Sequence, residues 1–319
     1  MTMYYDIFNG DADGICALHQ LRLAEPRKAT LVTGVKRDIR LLDQVAQVRG
    51  GELTVLDISL DSNRTVLLQL LESCRVFYVD HHYAGELPAS PNLIAHLDPS
   101  PEVCTSLLVD GLLGGRFRGW AVAAAFGDNL HASARKAAAT LHLDDSQVER
   151  LRELGELMNY NGYGQEVADL HLPPQALYAA VHPYVDPLDF CEETEILALL
   201  RQGFADDLRR ALAVTPLQQT ASGRIFLFPA EKWASRAAGV FSNEKARERV
   251  DMAHALLVDR GDNTFMVSVR APLARRVGAD TLCRGFVTGG GRGAAAGINV
   301  LPAVQVEDFF QKFSEVFSP

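Results

Sequence analysis

Arg75-Val-Phe-Tyr-Val-Asp-His-His-Tyr83 is the stretch on which the fold of this chain turns. Val76 to Val79 form an unbroken apolar run rich in β-branched and aromatic residues, the pattern of a strand covered on both faces in a parallel sheet. Asp80, His81 and His82 then fall at the carboxyl edge of that sheet, where open α/β folds bind ligands. One histidine there would read as a satisfied core residue, whereas an aspartate followed by two histidines points to a site.

Upstream, the same grammar repeats. Tyr4 to Phe8 reads as a first strand running into Asn9-Gly-Asp-Ala-Asp-Gly14 and then a helical pattern from Ile15 to Leu23. Ala29 to Thr33 reads as a second strand and Lys36 to Val48 as a helix. Leu53 to Asp57 is a third strand with an aspartate at its end, and Leu60 to Leu71 has helical periodicity. Strands alternating with helices predict β-α-β units and a parallel sheet. Asp11, Asp13, Asp57, Asp80, His81 and His82 thus converge from three strand ends. With no compensating lysine in view, gathered carboxylates call for divalent cations, which prefer such oxygen ligands.

Downstream, Leu93 to Asp98 reads as a strand, Val103 to Leu113 as a helix, and Trp120 to Gly127 as a small-residue helix ending at Asp128 and Asn129. Residues 131–213 read as mostly helical, interrupted by a loop from Asn159 to Gly164 whose tyrosines and asparagines could face a base or sugar. The pattern breaks at Thr215-Pro216. Beyond it, Arg224 to Phe228, Ala255 to Val258 and Thr264 to Arg270 read as strands of a second, smaller α/β domain. Its Gly289-Gly-Gly-Arg-Gly-Ala-Ala-Ala-Gly297 segment suits close approach to a phosphate, with the alanine run opening a helix whose N-terminus favours anions. Arg270 and Arg292 strengthen an anion site, since arginine fits phosphate bidentately.

With 319 residues, two compact units are expected. Five scattered cysteines, none in a Cys-x-x-Cys pair, read as reduced thiols. The start lacks a basic leader followed by an apolar run, and no segment has the length to span a bilayer, so a cytoplasmic protein is expected. A net charge of −9 argues against broad binding to long nucleic acid. The charge is uneven: 13 Lys and Arg stand against 10 Asp and Glu from Pro216 onward, and 18 against 30 before it. One part is suited to hold metal and the other an anionic substrate.

As an ordered set, Asp11-x-Asp13, Asp57, Asp80-His81-His82, Asp128 and the C-terminal glycine segment resemble the DHH/DHHA1 phosphoesterases over nearly the whole chain. The resemblance implies a Rossmann-like metal-binding catalytic domain (residues 1–190), a helical linker (191–220) and a DHHA1 substrate-binding domain (221–319), with the active site in the cleft between the domains. It also implies two Mn2+ ions, with Mg2+ or Co2+ able to substitute. Asp57 would bridge both; Asp11 would hold one, and Asp13, His81 and Asp128 the other. His82 would face the scissile phosphate, with Asp80 behind it. Arg270, Arg292 and Gly289, Gly290 and Gly291 would grip the substrate's far phosphate. Two positions depart from the family: Ile7 and Arg292 stand where it usually carries histidine.

The expected reaction is metal-assisted hydrolysis of a linear dinucleotide or very short oligonucleotide, of the pGpG type, to mononucleotides. Cleavage of a cyclic dinucleotide, removal of the 3′-phosphate of a phosphoadenosine phosphate, and a non-catalytic nucleotide sensor are the alternatives. The expected partner is a short nucleotide, not long nucleic acid or membrane, and a homodimer is left open.

Overall fold

Phe8, Leu56 and Val79 stand side by side on three neighbouring parallel strands, and that register gathers the aspartates at one edge. The computed structural model describes residues 2–318, which divide into two compact units between Gln202 and Gly203. The first carries β1 (Tyr4–Phe8), α1 (Ala12–Ala24), β2 (Thr30–Val32), β3 (Glu52–Leu56), α2 (Leu60–Leu71), β4 (Arg75–Asp80) and β5 (Leu93–Leu97). These are followed by α3 (Thr105–Leu112), α4 (Arg118–Gly127), α5 (His131–Ala138), α6 (Asp145–Asn161), α7 (Pro174–Val181) and α8 (Pro187–Glu193). Helix α9 (Ile196–Leu212) contains the point of division.

The five strands pair in parallel in the order β2-β1-β3-β4-β5. The order reverses between β1 and β3, and a crevice for ligands opens at such a switch point. On one face, Ile7, Val55, Leu60, Leu67 and Leu70 are fully buried in a shared apolar core. Each such side chain contributes about 1.5–3 kcal/mol by leaving water. Beyond the sheet, α4 and α6 cross with their backbones almost touching: a Cβ on Gly155 would lie 1.8 Å from the Ala123 carbonyl oxygen. Only glycine permits this approach, which sets Asp128 at the end of α4 near Asn159 in α6.

The helix expected over Lys36 to Val48 does not form; only a single 3-10 turn, Leu41–Val45, is present. Side chains take over the backbone bonds that a helix would have made. The Asn63 amide donates to the Ile39 carbonyl and its oxygen accepts from the Leu42 N–H, while Asp38 accepts from the Val35 N–H.

The second unit comprises β6 (Gln218–Gln219), β7 (Gly223–Phe228), α10 (Lys232–Glu248), β8 (Ala253–Asp259), β9 (Thr264–Arg270), α11 (Ala279–Cys283), β10 (Gly289–Arg292), β11 (Ala295–Pro302) and α12 (Val306–Val316). Its sheet runs β10-β11-β9-β8-β7-β6, antiparallel except for β7 and β8. The glycine segment is therefore a hairpin, not a loop opening a helix. Ala295 to Ala296 pair with Arg270 and Val269, so strand pairing overrides the helical propensity of the alanines. Gly289 is needed because a Cβ there would lie 1.7 Å from the Cys283 carbonyl oxygen, and Gly291 has a φ of 137°.

Each unit buries a histidine held neutral. His19 is fully buried against Trp120 and the Tyr184 carbonyl, and burial pushes it down to about 4. His254 is pushed to about 4 by burial and by the Arg224 charge beside it. Unfolded imidazole titrates near 6.5, so between those values the unfolded chain binds more protons. The stability from these groups is complete above pH 6.5 and is lost as pH falls through about 4. Denaturant midpoints of His254→Gln should therefore vary less between pH 7 and 5 than those of the natural protein, with other titrations cancelling in the comparison. Equal pH dependence would contradict a neutral buried His254.

Candidate metal centre

Three strand ends and three helices build the centre within the first unit. Just beyond β1, Asp11 is the N-cap of α1, its Oδ1 accepting from the Asp13 and Gly14 N–H groups at 3.0 and 3.1 Å. Asp13 lies in the first turn of α1 rather than on a free turn. Its two oxygens accept from the Thr105 and Ser106 N–H groups, both at 2.7 Å, and so cap α3 from outside. Asp57 follows β3 with a φ of 57°, a left-handed conformation costing about 1–2 kcal/mol. Such strain gathers at functional positions. Its Oδ1 accepts from the Thr105 hydroxyl at 3.2 Å.

The two histidines just beyond β4 have different hydrogen-bond partners. His81 Nδ1–H donates to the Val103 carbonyl at 3.0 Å, which leaves Nε2 as an electron-pair donor. That nitrogen lies 3.5 Å from Asp57 Oδ1 and 3.6 Å from Asp128 Oδ2. His82 Nδ1 is 2.7 Å from Oδ1 of the fully buried Asp80, with 43% of the His82 side chain exposed. The hydrogen bond to Asp80 raises His82 above its usual range.

Two sets of side chains bring ligand atoms within 4.8 Å of one another: Asp13, His81 and Asp128, and Asp57, His81 and His82. The sequence-predicted Asp13, Asp57, His81 and Asp128 thus meet. His82, expected only to face substrate, is also within ligating reach of Asp57 and His81. Burial pushes Asp57 well above the carboxylate range, with the charges of Asp13, Asp11, Asp128 and Asp80 adding to it. Burial raises Asp128 as well. Such a carboxylate-imidazole set, strained by its own charge, fits a hard or borderline divalent cation.

Asp11 is different, because it already has a cation. The Lys36 ammonium lies 2.6 Å from Asp11 Oδ2, 2.8 Å from Asn159 Oδ1 and 3.2 Å from Asp128 Oδ1. Burial works against ionised Asp11, but Lys36 outweighs it and the carboxyl sits below its usual value. The carboxylates are therefore not without a lysine, contrary to the sequence-based expectation. Lys36 was hidden inside the expected helix, although a lysine four residues past the short strand β2 stands at the same carboxyl edge as Asp11. Ile7 is fully buried in the apolar core and supplies no ligand. Within the Asn159 to Gly164 stretch, Asn161 and Tyr160 are structural, bonded to Leu172 backbone groups and to His171, whereas Asn159 faces Lys36.

In the second unit, strand register places Arg292 beside Ala295, Ala295 beside Arg270, Arg270 beside His254 and His254 beside Arg224. Directly paired residues share a face, so Arg270 and Arg292 lie in one cross-sheet row. The inner arginine of the row is satisfied, with Arg224 bonded to Glu248 at 2.8 Å. Arg270 bonds to Asn243 and Ser268 and is half-buried, while Arg292 is exposed. Gly289 to Gly291 form the edge strand, which leaves one side of its backbone amides without a neighbouring strand.

No family model and no curated protein matches the chain. Solved structures do. A DHH-domain member of the S1p family of ribosomal proteins is 13% identical with a TM-score of 0.66, covering 99% of this chain and 87% of its own. RecJ from Thermus thermophilus in complex with Mn2+ is 14% identical with a TM-score of 0.68, covering 98% of this chain and 51% of RecJ. The pGpG-specific phosphodiesterase PggH from Vibrio cholerae is 12% identical with a TM-score of 0.53, covering 98% of both chains. The chain has the fold of the DHH-domain proteins. Among the described residues, no helix is long and apolar enough to cross a membrane.

Proposed function

We propose that this protein is a metal-dependent phosphodiesterase that hydrolyses linear dinucleotides or very short oligonucleotides to mononucleotides. The observation that carries this reading is the convergence of Asp13, Asp57, His81 and Asp128 at the sheet's carboxyl edge, beside an Asp80-oriented His82. The likeness to a pGpG-specific phosphodiesterase over the full length of both chains supports the substrate class, and the likeness to Mn2+-bound RecJ supports the choice of metal.

Asp13, Asp57, His81 and Asp128 would hold the cation. When bound, it supplies Lewis-acid polarisation of the phosphoryl group and acidifies water for attack on phosphorus. Asp57, held in a strained backbone conformation, presents its carboxylate without reorganisation. Asp80 fixes the His82 ring through Nδ1, which leaves Nε2 and its proton for a phosphoryl or leaving oxygen. In the second unit, Arg270, Arg292 and the Gly289 to Gly291 edge would hold the phosphate that is not cut, although the Gly289 N–H is already given to the Phe286 carbonyl at 2.9 Å.

Arg292→Ala should lower kcat/KM on a linear dinucleotide by about ten- to a hundredfold, the equivalent of a charge-assisted contact of roughly 1.5–3 kcal/mol. A generic activated diester with no second phosphate should lose little. Equal losses on both substrates would place Arg292 at the scissile phosphate, and no loss would remove it from the site. The reading as a whole is tested by mass analysis of products from a panel of linear and cyclic dinucleotides and a phosphoadenosine phosphate with Mn2+. Mononucleotides from linear substrates are expected. Faster turnover of a cyclic or 3′-phosphorylated substrate would replace this reading, and tight binding without turnover would make the protein a sensor.

A further inference from the structure

We infer that Lys36 is a built-in cation standing in the place of a second metal ion, so that the centre takes one divalent ion per chain. The inference rests on the phosphodiesterase reading and sharpens it, because the family resemblance implies two ions.

Three oxygens surround the Lys36 ammonium: Asp11 Oδ2 at 2.6 Å, Asn159 Oδ1 at 2.8 Å and Asp128 Oδ1 at 3.2 Å. An ammonium has three N–H donors, and all three are used. Two carboxylates and an amide oxygen are also the donors that a hard divalent ion would take, so ammonium and ion compete for the same atoms. Nor is the lysine a stray surface chain. Its N–H donates to the Gly162 carbonyl at 2.9 Å, and its carbonyl accepts from Asn9 Nδ2 at 3.1 Å. Its ammonium lies 5.8 Å from the centre of the Tyr163 ring, within cation-π range.

A second, independent observation points the same way. Position 7, where the resemblance would put a histidine ligand, holds an isoleucine buried in the apolar core. Ile7 therefore supplies no ligand to an ion, and the Lys36 ammonium occupies the oxygens of the Asp11 half. The other half gathers without Asp11, because ligand atoms of Asp13, His81 and Asp128 lie within 4.8 Å of one another. Asp128 joins the halves, with Oδ1 on Lys36 and Oδ2 near His81 Nε2. A lysine here gives the phosphate a fixed positive charge that no chelator removes, next to one exchangeable ion.

The test is a count of bound Mn2+ by calorimetric titration and elemental analysis, with electron paramagnetic resonance to detect coupling between ions. The natural protein should bind one ion with the spectrum of an isolated Mn2+, Lys36→Arg should also bind one, and Lys36→Ala should gain a second, weaker site. Two ions with a coupled spectrum in the natural protein would overturn the inference while leaving the phosphodiesterase reading intact. No ion at all would overturn both. A Lys36→Ala protein that still binds one ion would show that Lys36 does not hold the second place. The measurement on the natural protein decides the matter even where a variant folds poorly.

Discussion

Asp57→Ala should abolish turnover and empty the metal centre together. Asp57 Oδ1 lies 3.5 Å from His81 Nε2, close enough for the two to share an ion, and a φ of 57° fixes where its carboxylate stands. The loss of kcat should be at least about a thousandfold, comparable to removal of a group that stabilises charge in the transition state. Stability should move the other way in metal-free protein. Asp57 is a buried carboxylate strained by burial and by four neighbouring aspartates, in a left-handed conformation, so its removal relieves repulsion. Metal-free Asp57→Asn, which keeps the backbone preference, should melt at or above the natural protein. Near-normal activity, or unchanged Mn2+ affinity, would remove Asp57 from the centre.

The second large effect is expected at His82. Deleting a positioned proton donor typically costs a hundred- to ten-thousandfold, and His82→Ala should fall in that range on kcat while Mn2+ affinity stays within a few-fold. The expectation comes from the Asp80 bond, which occupies Nδ1 and gives the ring a fixed direction. His82 is nevertheless close enough to Asp57 and His81 to act as a ligand. If His82→Ala lost the ion along with activity, His82 would be a metal ligand. Asp80→Asn should reproduce part of the kcat loss by loosening the ring, again without loss of metal.

The parallel sheet and its acidic edge were legible because apolar runs and helical periods alternate cleanly from Tyr4 to Leu97. Three of the strands, β1, β3 and β4, also lead into residues whose chemistry is wasted in a core: Asp11 and Asp13, Asp57, and Asp80, His81 and His82. Asp128 was legible only through the resemblance, since its place depends on the glycine-mediated crossing of α4 and α6, a contact that no local pattern reveals. Lys36 was missed because residues 36–48 have an amphipathic period, and that local preference loses to Asn63 and Gly162, which capture the segment's backbone from distant parts of the chain. The glycine segment misled for the opposite reason. Its glycines make room for the Cys283 backbone and a hairpin, a steric need that in sequence resembles a phosphate loop. Arg270 and Arg292, named from their places on a strand and in the glycine segment and from arginine's fit to phosphate, fall in one row because both are in register with Ala295.

The central claim, that this acidic strand edge holds a divalent ion and hydrolyses short phosphodiesters, is tested most directly by chelation and reconstitution on a linear dinucleotide. Protein stripped of metal should release no mononucleotide, and added Mn2+ should restore release in proportion to the ion bound. Turnover that persists undiminished after chelation, or no mononucleotide at any Mn2+ concentration, would contradict it.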